Sequence, residues 1–240
     1  MAYPVIEGST NGITSYNSSL TIPMPSSVAY DEFIIGFVAT ESNASCTGIN
    51  SSSGNFTVTS SISDAYSHIY LTCFFGRALG SSNDNITLGF SNSTYASYII
   101  YRISGHGMIS PIDFSWNYSG TVYHSSDFPM KGITVLGTAD KLFLTAVTYS
   151  RSATSITAPS GFSNLIDNNY GGTESDGRNG IATATLFTNG YVIADSTWGY
   201  SNHVTQTSVS ITVLVKSGSY PGSTPTGVGI VVPSSRISMA

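Results

Sequence analysis

Several segments of this chain carry apolar residues at both alternate positions of a period-two pattern, which restricts them to strands covered on both faces. In Asp31-Glu32-Phe33-Ile34-Ile35-Gly36-Phe37-Val38 the odd and the even positions are both apolar. Side chains of a strand point alternately to opposite faces, so such a strand is central in a sheet or sandwiched between layers. Ser67 to Phe75, Tyr95 to Ile103, Lys141 to Tyr149 and Val209 to Lys216 behave alike, and five such strands cannot all be edges. No stretch repeats apolar residues at i, i+3, i+4 and i+7, and Gly and Ser interrupt every candidate helix. Asn-Gly at 11-12, 179-180 and 189-190, with Ser-Gly at 53-54, 119-120 and 217-218, predicts hairpins and loops between many short strands. The expected fold is all-β, a two-sheet antiparallel β-sandwich of jelly-roll-like form.

The 240 residues suit one such domain, and a chain of this size buries about 70% of its unfolded surface without a disulfide or metal staple. A weak internal repeat divides it. Asp31-Glu32-Phe33-Ile34-Ile35, closing at Tyr98-Ile99-Ile100-Tyr101-Arg102-Ile103-Ser104-Gly105, has a counterpart in Asp140-Lys141-Leu142-Phe143-Leu144, closing at Ile211-Thr212-Val213-Leu214-Val215-Lys216-Ser217-Gly218. The organisation read from this is an N-terminal segment, 1-14, a sandwich domain, 15-218, with halves near 15-108 and 130-218, and an extended C-terminal tail, 219-240. Two halves sharing one sandwich is the simplest account of the repeat; two tandem small sandwiches is the alternative. The tail opens with a Pro-, Gly- and Ser-rich linker and carries the apolar run Val228, Ile230, Val231 and Val232. A run of this kind can add a strand to a neighbouring subunit, so these four residues are the candidate partner-binding positions.

Charged residues are 9% of the chain against a usual quarter, so solubility rests on Ser, Thr, Asn and Gly. The eight Lys and Arg residues form no cluster and the net charge is −5, which argues against nucleic acid as a partner. No apolar run reaches the length that spans a bilayer, and the N-terminus has neither a basic nor an apolar signal region, so no membrane association and no self-encoded export are expected. Cys46 and Cys73 form no disulfide framework and read as two buried thiols.

Chemistry-bearing patterns are sparse. The nucleophile elbow G-x-S-x-G does not occur, and His68, His106, His124 and His203 are scattered, so no catalytic residues are assigned and no enzyme activity or cofactor is expected. The loop from Asp167 to Gly177 concentrates oxygen ligands and Gly; Asp167, Glu174 and Asp176 are its candidate metal ligands, with a solvated hairpin loop as the competing reading. Trp116 and Tyr118, and Trp198 and Tyr200, are candidate platforms for stacking on a glycan, unless they plug the sandwich core. Seven Asn-x-Ser/Thr sequons occur, which a chain this rich in Asn, Ser and Thr acquires by chance.

Ser19-Leu20-Thr21-Ile22-Pro23, Asp31-Glu32-Phe33-Ile34-Ile35, Tyr101-Arg102-Ile103-Ser104-Gly105 and Ala158-Pro159-Ser160-Gly161-Phe162 together resemble a β-sandwich domain recurrent in structural proteins of tailed phages. Tyr30-Asp31 stands where that group carries Gly-Asp, and Phe162 where it carries Trp. The resemblance spans about residues 15 to 216 and implies no catalytic residues. It implies a virion protein at the surface of the head, or else the tail: a capsid decoration or cement protein that binds the major capsid protein or other virion proteins as a homo-oligomer. A tail or fibre component that binds a glycan receptor is the alternative, and a carbohydrate-binding module or enzyme of sandwich fold is a third reading.

Overall fold

The computed structural model describes residues 3–41, 44–51, 54–63, 69–79, 85–107, 112–115, 127–134, 140–150, 155–168, 179–190, 192–200 and 208–218. Within them the chain is strand and connecting turn, with no helix. The first part carries β1 (Val5–Ile13), β2 (Asn17–Pro23), β3 (Phe33–Glu41), β4 (Cys46–Ser51), β5 (Gly54–Ser63), β6 (Ile69–Ala78), β7 (Asn85–Thr94) and β8 (Ala96–Ser104). The second carries β9 (Ile112–Ser115), β10 (Asp127–Met130), β11 (Ile133–Thr134), β12 (Lys141–Ser150), β13 (Ile156–Thr157), β14 (Ser163–Asn168), β15 (Asn179–Thr188), β16 (Val192–Ile193), β17 (Ser196–Tyr200) and β18 (Ser208–Lys216).

Strand order repeats between the two parts. The first forms a five-stranded sheet β1-β8-β3-β6-β5 and a three-stranded sheet β2-β7-β4; the second forms β9-β18-β12-β15-β14 and β10-β17-β13. With the small β11-β16 ribbon set aside, the eight remaining strands of the second part take, in chain order, the sheet positions of β1 to β8. Among the described residues every pairing is antiparallel and no sheet mixes strands of the two parts. Each half therefore completes its own pair of sheets.

The halves then pack by their five-stranded sheets. Phe33, Ile35, Phe37 and Ala39 on β3 join Leu142, Leu144 and Ala146 on β12 in one buried cluster, with Leu71 and Cys73 from β6 and Ile211 and Val213 from β18. The opposite face of β3, Ile34 and Val38, packs on Leu20, Ile22, Ile86 and Leu88 of the first half's outer sheet. Val147 and Tyr149 of β12 do the same against Phe128, Met130 and Trp198. The result is four layers, three strands outside and five inside, then five and three. This explains the doubly apolar segments. All five became strands of the inner sheets, β3, β6, β8, β12 and β18, and none is an edge. A sixth internal strand, β15, lacks that signature because its two faces carry Ala182 and Ala184 on one side and Thr183 and Thr185 on the other, all buried.

Polar bonds fasten the two inner sheets as well. Tyr101 hydroxyl and Thr183 Oγ1 lie 2.5 Å apart in the shared core. Asn168 Nδ2 donates to the carbonyls of Gly12 at 2.6 Å and Tyr98 at 3.2 Å across the halves. The end of each half meets the other: His106 and Ser217 form an antiparallel bridge, flanked by Gly218 N to Gly105 O and Gly107 N to Lys216 O, both at 2.9 Å.

Three expectations change. The halves do not contribute strands to one shared sandwich; each builds its own pair of sheets, as in the tandem alternative. Asn11-Gly12 and Asn179-Gly180 are not turns; they lie inside β1 and at the start of β15, where Gly12 faces Tyr98 and Gly180 faces Tyr149. The tyrosine ring lies across each Gly, and a Cβ there would come within 2.5 Å of the Tyr98 hydroxyl or 2.2 Å of Tyr149 Cζ. The Ser-Gly endings also match in composition and not in register. Phe33 pairs with Ile103 and Leu142 with Val215, so Val215 is the counterpart of Ile103; both face the shared core. Aligning the two Ser-Gly pairs would instead put Lys216 there.

Candidate functional site

The inner sheet of the first half runs past its cover at one corner. The row Phe33, Arg77 and Asn55 crosses β3, β6 and β5, and the row Ile35, Phe75 and Thr57 lies beside it on the same face. Phe33 and Ile35 are fully buried, Phe75 and Arg77 are half-buried, and Asn55 and Thr57 are exposed. Cover by the second half thus fades from β3 to β5. A pocket of about 270 Å³ opens on this ledge, walled by the first row, by Phe75 and Thr57 of the second, and by Tyr30, Asp31 and Leu79 from the chain at the strand ends.

Local backbone shape sets the polar part of this pocket. Asp31 has φ of 66°, a left-handed conformation that Asp tolerates better than most residues, and its N–H donates to Ala78 O at 2.8 Å. The turn aims the carboxylate at Arg77, whose Nη1 lies 2.7 Å from Asp31 Oδ1, while Nη2 donates to Gly107 O at 3.0 Å. His106 closes the ring: Nε2 is 2.9 Å from Asp31 O and Nδ1 is 3.1 Å from Gly107 O, and its ring packs on Phe33 with centroids 5.5 Å apart. Asp31 and Arg77 form the ion pair, and His106 and Gly107, from the end of the first half, hold it in a single geometry.

A second polar group sits one strand row away. Arg102, on β8, bonds Ser27 O, donates to Glu7 O at 3.0 Å and lies 3.5 Å from Glu32 Oε2; Glu32 also accepts from Ala29 N at 2.6 Å. These contacts pin the β2–β3 connection to β1 and β8, which is a fastening role.

The sequence-derived candidates fall out as follows. Trp198 is fully buried between the sheets of the second half, against Phe128 and Tyr149. It fills core there and offers no face to a sugar. Tyr200 is half-buried and stacks on Phe128, with centroids 4.5 Å apart and rings parallel. One side of its ring is thus already occupied. Asp167 accepts a 2.6 Å hydrogen bond from the Tyr149 hydroxyl. Partial burial pushes its carboxyl above the ordinary range, with the Tyr149 bond pulling the other way, and burial also raises the Tyr149 phenol. Trp116, Tyr118, Glu174, Asp176, Val228, Ile230, Val231 and Val232 lie outside the described residues, as do His68, His124 and His203. Among the described residues no group of three or more His, Cys, Asp or Glu is placed to hold a metal ion. Cys46 and Cys73 are not joined in a disulfide: Cys73 is buried in the shared core, whereas Cys46 is half-buried, its thiol pushed up by burial.

The Asp31, Arg77 and His106 group was missed by sequence reading because its members are far apart in the chain and belong to no motif. The available hint was Tyr30-Asp31, an aromatic and an acid shortly before a buried strand and in place of a Gly-Asp pair.

Fold and site together define an all-β packed-sheet protein of twice-repeated strand order, with a preset ion pair at the mouth of a corner pocket. Comparison with known proteins finds no matching family model, no matching curated protein and no matching solved structure.

Proposed function

We propose that this protein is a non-enzymatic structural protein of a virion that decorates a capsid and cements it by binding the major capsid protein. The observation that carries this reading is the strand order itself. In each half the first, eighth, third and sixth strands form one sheet and the second, seventh and fourth form its partner. We read that order as jelly-roll-like apart from the fifth strand, which pairs with the sixth, and double-sheet sandwiches of this class are used in viral shells. The step from architecture to role is by analogy. It is supported by the surface, whose solubility rests on neutral polar side chains, and by the phage-like strand-start and turn motifs. One of these, Pro159-Ser160-Gly161-Phe162, makes a tight turn closed by Phe162 N to Pro159 O at 3.0 Å, with Gly161 at φ of 85°.

Binding in this reading runs through Val228, Ile230, Val231 and Val232, which add as a strand to an edge on the capsid. The test mixes the purified full chain with heads of the virus that encodes it and follows co-sedimentation, with cryo-electron microscopy of the pellet. Regular density over the shell is expected, and replacing the four tail residues with Ser in the full chain should release the protein from the pellet. Protein that stays in the supernatant at every ratio, with bare shells in the images, would sink the proposal.

A further inference from the structure

We propose that the corner pocket of the first half binds a neutral, polyhydroxylated ligand of about one saccharide unit. This goes beyond a capsid role and does not depend on it.

The chemistry of the pocket selects for that class. Saccharide hydroxyls both donate and accept, and the pocket presents an acceptor, Asp31, beside a donor, Arg77, with the two-way groups of Asn55 and Thr57 opposite. Because Asp31 already neutralises Arg77 at 2.7 Å, a phosphate or carboxylate would have to displace an internal partner, whereas a neutral diol would not. Rings and apolar carbons supply the other half of the recognition: Tyr30 is 74% exposed and Leu79 50% exposed, with Phe75 half-buried at the base. These surfaces suit the C–H face of a sugar ring, which stacks on aromatic groups while its hydroxyls bond at the rim.

Two further observations favour a built site over an incidental dent. The ion pair is held by the Gly107 carbonyl and by His106, so it is ordered before any ligand arrives. Asp31 sits in a left-handed conformation, and strain of that kind concentrates where a side chain must be aimed. The 270 Å³ volume lies at the small end of ligand pockets, which sets the size at about one ring. The counterpart corner of the second half carries Phe187 where the first carries Arg77, and Tyr3 packs on it edge-to-face at 5.6 Å. The polar composition is therefore particular to one corner and does not follow from the repeated fold.

The test is saturation-transfer NMR followed by calorimetry on the full chain with glucose, galactose, mannose, N-acetylglucosamine and glucose 6-phosphate as probes. At least one neutral sugar should bind with a Kd of about 1 mM or tighter. Tyr30→Ala and Asn55→Ala change exposed side chains, so folding should survive, and each should weaken that binding by about tenfold or more. Tyr16→Ala, an exposed aromatic beside Tyr95 and outside the pocket, should leave it unchanged. Three results would overturn the proposal: no binding by any neutral probe, binding that survives both pocket substitutions, or tighter binding of glucose 6-phosphate than of glucose.

Discussion

The two halves share a strand order and differ in how each closes the corner that the other half leaves open. Tyr3, just before β1, lies on Phe187 of the second half; His106, between β8 and β9, lies on Phe33 of the first. In both cases the segment entering one half covers the inner sheet of the other, as in an isologous contact between two copies of one surface. The chemistry has diverged within that common arrangement. One corner is aromatic on aromatic, and the other is an ion pair, an imidazole and a pocket. Repetition thus constrains the sheet order and the shared core, while residues at the strand ends are free to specialise.

If the shared core makes the halves one cooperative unit, damage on one side must appear on the other. Phe37 lies in that core opposite the layer that contains Ala146. Phe37→Ala should cost about 3–5 kcal/mol, read as a lowered denaturant midpoint. Both tryptophans, Trp116 and Trp198, belong to the second part of the sequence, so their fluorescence should lose its midpoint in step with circular dichroism. Cys73 should likewise react with a thiol reagent only as the whole chain unfolds. Two separated transitions, or Cys73 labelling with native tryptophan fluorescence, would break the comparison into two independent domains.

The next effect separates a close backbone contact at the end of the β1–β8 pair from an open turn. Gly105 has φ of 65°, and a Cβ there would sit 2.1 Å from Tyr3 O. Gly161 has φ of 85° with open space around it. Gly161→Ala should cost about 1–2 kcal/mol from conformation alone, and Gly105→Ala more, because the backbone of Tyr3 must also move. Equal losses in thermal denaturation would mean that the Tyr3 backbone beside β1 yields easily.

A smaller loss, about 1–2 kcal/mol, is expected for Tyr101→Phe, which strands the Thr183 hydroxyl in the shared core. Chemical denaturation should place it below both the Phe37 and the Gly105 changes. A neutral result would mean that the apolar contacts alone align the sheets.

The smallest effect is a pH dependence peculiar to the second half. Burial raises the Asp167 carboxyl in the folded state, so its contribution is fully present below the ordinary Asp value of about 3.9 and is lost as pH rises through the folded value. Asp167→Asn should therefore gain stability relative to the parent between acid and neutral pH, and show no such gain in acid. Asp195 acts in the opposite sense: hydrogen bonds from Lys131 and the Gly132 N–H lower its carboxyl, and that contribution is lost as pH falls through the folded value. Parallel stability curves for parent and Asp167→Asn across this range would remove Asp167 as a titrating contributor.

Much of the architecture was legible because burial on two faces leaves its mark on every residue of a strand. Phe33 to Val38 and Leu142 to Val147 announce central strands, since no polar residue interrupts either face for most of their length. The same logic fails for β15, whose Ala and Thr residues are small enough to be buried without reading as apolar, and for Gly12 and Gly180, where a neighbouring Tyr supplies the missing side chain. Asn-Gly is a turn signal only while no ring lies across the Gly.

What the sequence by itself determined is the all-β class and the existence of two comparable halves, because period-two burial and strand-end composition are local properties. Tertiary structure alone decided that each half completes its own pair of sheets, that the halves join through their five-stranded sheets, and that Trp198 faces inward. It also decided the site. Asp31, Arg77 and His106 are separated by long stretches of chain and become neighbours only when β3 and β6 pair and the end of β8 folds back, so no local pattern could encode their meeting.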